Sequence, residues 1–159
     1  MQRKFSFLGV VLGIYLLDQI TKFIVQKEMI IGQSIPLIEN ILHLTYILNP
    51  GAAFGMLAYR TEIFIIVSLA AIGLVITFYR KILSQPFWIQ LALALQLSGA
   101  LGNLTDRLRT GYVVDFLDLR VWPIFNIADM AIVCGVAIFL WQIVFTPEKK
   151  GDWQNGRIG

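Results

Sequence analysis

Four stretches of the chain stay apolar for about as long as a bilayer crossing requires, roughly 20 residues for a helix. They run over about 5–25, 62–78, 86–103 and 127–145. Each has a physical end. Arg80 and Lys81 close the second with charge. Pro86 suits the first turn of the third, where a missing N–H costs little. Pro147 with Lys149 and Lys150 closes the fourth. Arg3 and Lys4 ahead of the first stretch resemble the start of a signal peptide. Asp18, Gln19 and Lys22 follow with no small-residue cleavage site, which predicts a retained helix.

Between the apolar stretches the period changes. Leu42, Leu44, Tyr46 and Leu48 alternate with His43, Thr45, Ile47 and Asn49, a strand pattern. Pro50-Gly51 breaks it, and the short apolar run from Ala52 to Leu57 reads as a helix lying in the membrane interface. Residues 110–120 are strand-like as well. The expected fold is therefore membrane α-helical. Four transmembrane helices form one domain over 1–159. The outer segments 27–61 and 107–125 supply a small β-sheet and a short interfacial helix. A polar tail covers 146–159.

Composition agrees. The 159 residues are 57% hydrophobic and 14% charged, against about 25% charged in ordinary soluble domains. A net charge of +3 is too small to point to nucleic acid. Lysine and arginine in short flanks set orientation. Arg3, Lys4, Arg80, Lys81, Lys149, Lys150 and Arg157 share one side of a four-span chain. That places both termini in the cytoplasm and the two long segments outside. Cys134 is the single cysteine, so no internal disulfide forms. Within its apolar run it reads as a core or lipid-facing residue.

Ionised groups are costly in a bilayer, at least about 2.5–3.5 kcal/mol at its centre, so those in spans face protein or water. Asp18 and Lys22 are four apart on one helical face, acid before base. They form either a self-neutralising pair that lets the helix insert or a charged wall facing a site. Gln96, Gly99, Asn103 and Arg107 make one helical stripe, with Gly102 and Asp106 beside it. Helix packing and a hydrogen-bonded helix end explain much of this stripe, and Arg107 with Asp106 reads as structural. Asn126 followed by Asp129 resembles a capping box. Capping does not account for Asp115 within Val-Val-Asp-Phe-Leu, whose bland alternative is an exposed alternating position such as that expected for Asp118.

The only histidine, His43, falls in the outer strand at an expected exposed position, which disfavours serine–histidine, cysteine–histidine and zinc chemistry. No serine stands out beside Lys22 for a serine–lysine dyad, and no phosphate loop is present. Magnesium on Asp115 and Asp129 lacks any sign of a phosphate substrate. What remains is a carboxylate pair. Two neighbouring aspartates share a proton and titrate as a unit. Such a pair can activate water and polarise a peptide carbonyl with no metal or cofactor.

Five blocks carry a resemblance. They are Asp18-Gln-Ile-Thr-Lys22, Asn49-Pro-Gly-Ala-Ala-Phe-Gly55, Gly99-Ala-Leu-Gly-Asn-Leu-Thr-Asp-Arg107, Val113-Val-Asp-Phe116 and Phe125-Asn-Ile-Ala-Asp129. In this order, over about 5–145, they resemble the lipoprotein signal peptidase (signal peptidase II) family of bacterial aspartyl proteases. The resemblance implies a cytoplasmic (inner) membrane enzyme, with its site near the outer leaflet. It would remove the signal peptide from diacylglyceryl-modified prolipoproteins by cutting before the lipidated cysteine. It implies Asp115 and Asp129 as the catalytic pair. Asp18, Lys22, Asn49, Gly51, Asn103, Asp106, Arg107, Asn126 and Ala128 match supporting or substrate-binding positions. It further implies no cofactor or metal, contact with membrane lipid, globomycin-type inhibitor binding and a monomer. A small transporter or channel subunit is the competing class, disfavoured by the lack of repeat halves. It predicts solute flux and a dispensable Asp115. A non-enzymatic assembly factor predicts that both aspartates are dispensable.

Overall fold

In the computed structural model, residues 6–51 and 60–145 are described. The run 52–57 expected as an interfacial helix, the Arg3-Lys4 flank and the tail from 146 lie outside them. Helix α1 (Phe7–Glu28) begins at Ser6, whose hydroxyl accepts the Gly9 N–H at 3.1 Å. Strands β1 (Ser34–Ile38) and β2 (Leu42–Asn49) form a hairpin, with Asn40 taking a positive φ in the turn. Helix α2 (Thr61–Thr77) leads through Phe78 into the short α3 (Tyr79–Leu83). Helix α4 (Phe87–Thr110), strand β3 (Val113–Asp118) and helix α5 (Ile127–Phe145) complete the order.

Among the described residues three helices, α1, α4 and α5, are long and apolar enough to cross a membrane, while α2 is apolar but has 17 residues. At 1.5 Å per residue α2 is about 26 Å long. Helix α4 continues past Asn103, where the third apolar stretch was expected to finish, as far as Thr110. Asn103 does not break it because its side chain bonds sideways to neighbouring helices. The stop comes at Gly111, whose φ of 81° is a left-handed conformation that glycine adopts without penalty.

Helix α4 is the centre of the bundle, with α1, α2 and α5 all packed against it. The α4–α5 seam depends on small residues. A Cβ on Gly99 would run into the Ala128 carbonyl, and one on Gly102 would come within 2.5 Å of the Asp18 carboxylate. Close backbone approach of this kind is how helices associate where lipid removes the hydrophobic drive.

The sheet is antiparallel in the order β1-β2-β3. Strand β1 was not expected. All its residues are exposed and Pro36 interrupts it, which a sheet tolerates only at an edge. Strand β3 is buried along almost its whole length rather than on alternate residues. Val114 and Phe116 pack with Tyr46 of β2 and with Val25 and Met29 at the end of α1. Asp118, expected to be exposed, is 4% exposed. It accepts from the Thr45 hydroxyl at 2.8 Å and from the Arg120 backbone and guanidinium at 2.8 and 3.0 Å. Burial pushes its carboxyl up, but these donors outweigh burial and hold it below the usual range. His43 is half-buried rather than exposed, with Nδ1 3.1 Å from the Ser34 hydroxyl.

Candidate active site

The loop after β3 folds back on it. Phe125 pairs with Leu117, its carbonyl accepting from the Phe116 and Leu117 N–H groups. The next residue, Asn126, is thereby set beneath the strand and starts α5. Its side-chain oxygen accepts the Asp129 N–H at 2.9 Å, and the Asp129 carboxylate accepts the Asn126 N–H at 3.3 Å. This reciprocal pair is the capping box expected from the spacing. The Asn126 amide also donates to Asp115 Oδ1 at 2.6 Å. One buried asparagine therefore holds a carboxylate on β3 and another on α5.

Each carboxylate has a second tether. The Asn49 amide donates to Asp115 Oδ2 at 2.8 Å, and the Asn103 amide donates to Asp129 Oδ1 at 2.8 Å. Asp115 is 1% exposed, whereas Asp129 is half-buried. Burial first, and the neighbouring Asp129 charge second, push the Asp115 carboxyl up to about 7. The Asn49 and Asn126 amides and the Lys22 charge oppose that rise.

Behind the pair lies a charged cluster. Lys22 Nζ sits 2.9 Å from Asp18 and 2.8 Å from Asp106, and donates to Asn103 Oδ1 at 3.0 Å. All three charged groups are nearly sealed from outside. Asp18 is thus more than Lys22's partner on one helix. Its other oxygen accepts the Ala128 N–H at 2.9 Å, so α1 caps α5 where the helix dipole favours negative charge. Asp106 was expected beside Arg107 but pairs with Lys22 and accepts the Val114 N–H at 3.2 Å. One helical step turns Arg107 the other way. Its guanidinium stacks over Phe64 at 4.7 Å and donates to the Gly51 and Asn103 carbonyls at 3.3 and 3.5 Å.

Asp115 and Asp129 line one cleft of about 520 Å³, together with Asn49, Gly51, Asn103 and Arg107. Asp18, Lys22, Asp106, Asn126 and Ala128 do not line it and support it from behind. Ala128 is fully buried against Gly99 and Gly102, a place with no room for a larger residue. The rest of the wall was not singled out from sequence. Phe64, Val67, Ser68 and Ala71 come from α2, Trp122 to Phe125 from the loop, and Ile132 and Val133 from α5. The i, i+3, i+4, i+7 spacing on α2 carries that signal, but an all-apolar helix hides which face meets a cavity.

A family model described as Signal peptidase (SPase) II matches residues 10–145. The chain belongs to the signal peptidase II family. It is 47% identical to the lipoprotein signal peptidase of Moorella thermoacetica over 91% of this chain and 97% of that one. It is 45% identical to that of Halothermothrix orenii over 90% and 97%. A solved bacterial membrane enzyme superposes with a TM-score of 0.80 at 32% identity, over 94% of this chain and 98% of that one. The family membership agrees with the resemblance carried by the five sequence blocks. It makes the chain an aspartic peptidase of the signal peptidase II type.

Proposed function

We propose that Asp115 and Asp129 are the catalytic pair of a four-span enzyme of the bacterial inner membrane. The enzyme removes signal peptides from prolipoproteins, and we take the bond cut to be the one preceding a diacylglyceryl-modified cysteine. The single observation that carries this reading is the meeting of both carboxylates at Asn126, on the wall of one cleft.

The pair holds one proton between its members. Asp115, with its raised affinity for a proton, enters the reaction as the acid. Asp129, the more accessible member, takes a proton from water as that water attacks the scissile carbonyl. Asp115 donates a hydrogen bond to the developing oxyanion. The proton now on Asp129 passes to the leaving amine, and Asp115 ends as it began. Asn49, Asn103 and Asn126 keep both carboxyls in register through these steps, because each amide N–H already points at an oxygen. Arg107, which cannot give up its proton, fixes the Gly51 carbonyl at the rim.

The fourth span is α2. Although α2 and α5 both pack on α4, they barely touch each other, leaving a gap with α4 at its back. A lipid-anchored peptide enters such a gap sideways from the bilayer. Sidedness follows from charge: α3 carries Arg80 and Lys81 between two spans, so that end faces the cytoplasm with both termini, and the sheet lies over the outer leaflet. The enzyme acts as a monomer and binds globomycin-type inhibitors in the same cleft. The deciding experiment is cleavage of a diacylglyceryl prolipoprotein by purified protein. Asp115→Asn and Asp129→Asn should each slow release of the signal peptide about 10²–10⁴-fold, while both stay folded and inserted. Robust cleavage by either variant would remove the assignment.

A further inference from the structure

Gln96 stands on the cleft-facing stripe of α4, seven residues before Asn103, about 10 Å deeper along the helix axis. Among the described residues Ala71, Ala100, Ile132 and Val133 form the wall beside it, with the Ser68 hydroxyl about one turn from Ala71 on α2. Its Nε2 is buried and has no hydrogen-bond partner among the described residues. The side chain lies across the bare backbone of Gly135 on α5, where an added Cβ would come within 2.8 Å of Gln96 Cγ. A donor left unmet in a low-dielectric interior costs about 1–3 kcal/mol, and hydrocarbon offers no water to relieve it. An apolar side chain of similar length would fill this place without that cost.

We propose that the Gln96 amide binds a carbonyl oxygen carried by the substrate into the deep end of the cleft. This rests on the cleft being the place where a lipidated peptide is cut. The terminal torsion of glutamine is broad and roughly two-fold, so a rotation turns the N–H into the cavity. The ligand must bring an acceptor on an otherwise apolar body. Two parts of a diacylglyceryl peptide do so: the ester carbonyls of its acyl chains and the free carbonyls of the last helical turn of its signal segment. Gln96 thereby reads the depth at which the substrate sits.

The test compares wild type, Gln96→Met and Asp115→Asn as full-length protein in lipid nanodiscs. Substrates are a prolipoprotein peptide bearing an ester-linked diacylglyceryl group and its ether-linked analogue. Gln96→Met should raise KM for the ester substrate about threefold to tenfold, the value of one hydrogen bond, with kcat within about twofold. With no substrate it should melt at the same or a higher temperature, since it removes an unmet donor. If the KM effect vanishes with the ether analogue, the ester is the acceptor; if it persists, a peptide carbonyl is. An unchanged KM for the ester substrate overturns the proposal, as does a lower melting temperature, which marks a structural amide. Failure of the wild type to cleave, or cleavage by Asp115→Asn, overturns the underlying reading of the cleft as well.

Discussion

The two ends of the helical bundle are built from different materials. At the α3 end, Phe7, Val11, Ile82 and Ala94 form a dry cluster, with Phe7 edge-on to Tyr79 at 5.8 Å. At the sheet end, Asp18, Lys22, Asn103, Asp106, Asp115 and Asn126 are buried together and joined by hydrogen bonds and ion pairs. Apolar contacts can be exchanged piecemeal, since each is small and non-directional. The polar end has no such tolerance, because removing one member leaves its partners charged and unsolvated. The proposed site sits where the fold has least slack.

The largest expected effect tests that contrast at its extreme. Asp115→Asn or Asp129→Asn should reduce cleavage about 10²–10⁴-fold, the usual value of a general acid or base, with both variants still folded. Next comes Lys22→Ala, which strands Asp18 and Asp106 together. Loss of one partner from a buried pair costs about 3–5 kcal/mol. Thermal melts in detergent should therefore fall further for Lys22→Ala than for Asp115→Asn, and equal melting would refute the charged cluster as a fold requirement.

Acidity provides a finer measurement. The Asp115 carboxyl, ordinarily near 3.8, is raised to about 7 in the folded protein. A raised acid contributes stability that is complete below its ordinary value and is lost as pH climbs through the folded one. Melting temperature should thus decline between about pH 4 and pH 7, and Asp115→Asn should flatten that decline. Activity should fall about tenfold per pH unit above about 7, as the shared proton leaves. A flat alkaline limb would contradict the assignment of Asp115 as the acid. The smallest effect belongs to the dry end. Ile82→Val should cost about 0.5–1.5 kcal/mol and leave kcat and KM unchanged. A change in kcat there would show that the two ends are coupled.

Much of this arrangement was legible in the chain, and the misses share a cause. Helices α1, α2 and α5 follow from apolar length, and β2 from its alternation. The Asn126–Asp129 cap follows from spacing alone. Strand β1 was hidden because an edge strand exposed on both faces has no period to detect. The burial of Asp118 depends on Thr45 across the sheet and on Arg120, whose positive φ of 65° turns its N–H back on the carboxylate. Asp106 stands next to Arg107 in sequence, yet the Lys22 ammonium from another helix claims it. Local pattern states which groups are polar; only packing states which of them meet.

The cap shared by Asn126 and Asp129 carries one more consequence. The bonds that begin α5 are the same bonds that aim the Asp129 carboxylate, which we propose as half of the catalytic pair. Should that first turn fray, hydrolytic power lapses before the protein itself comes apart. A half-threaded or heat-loosened copy in the membrane would then be inert, not indiscriminate, which protects neighbouring proteins from a protease that sits permanently among them.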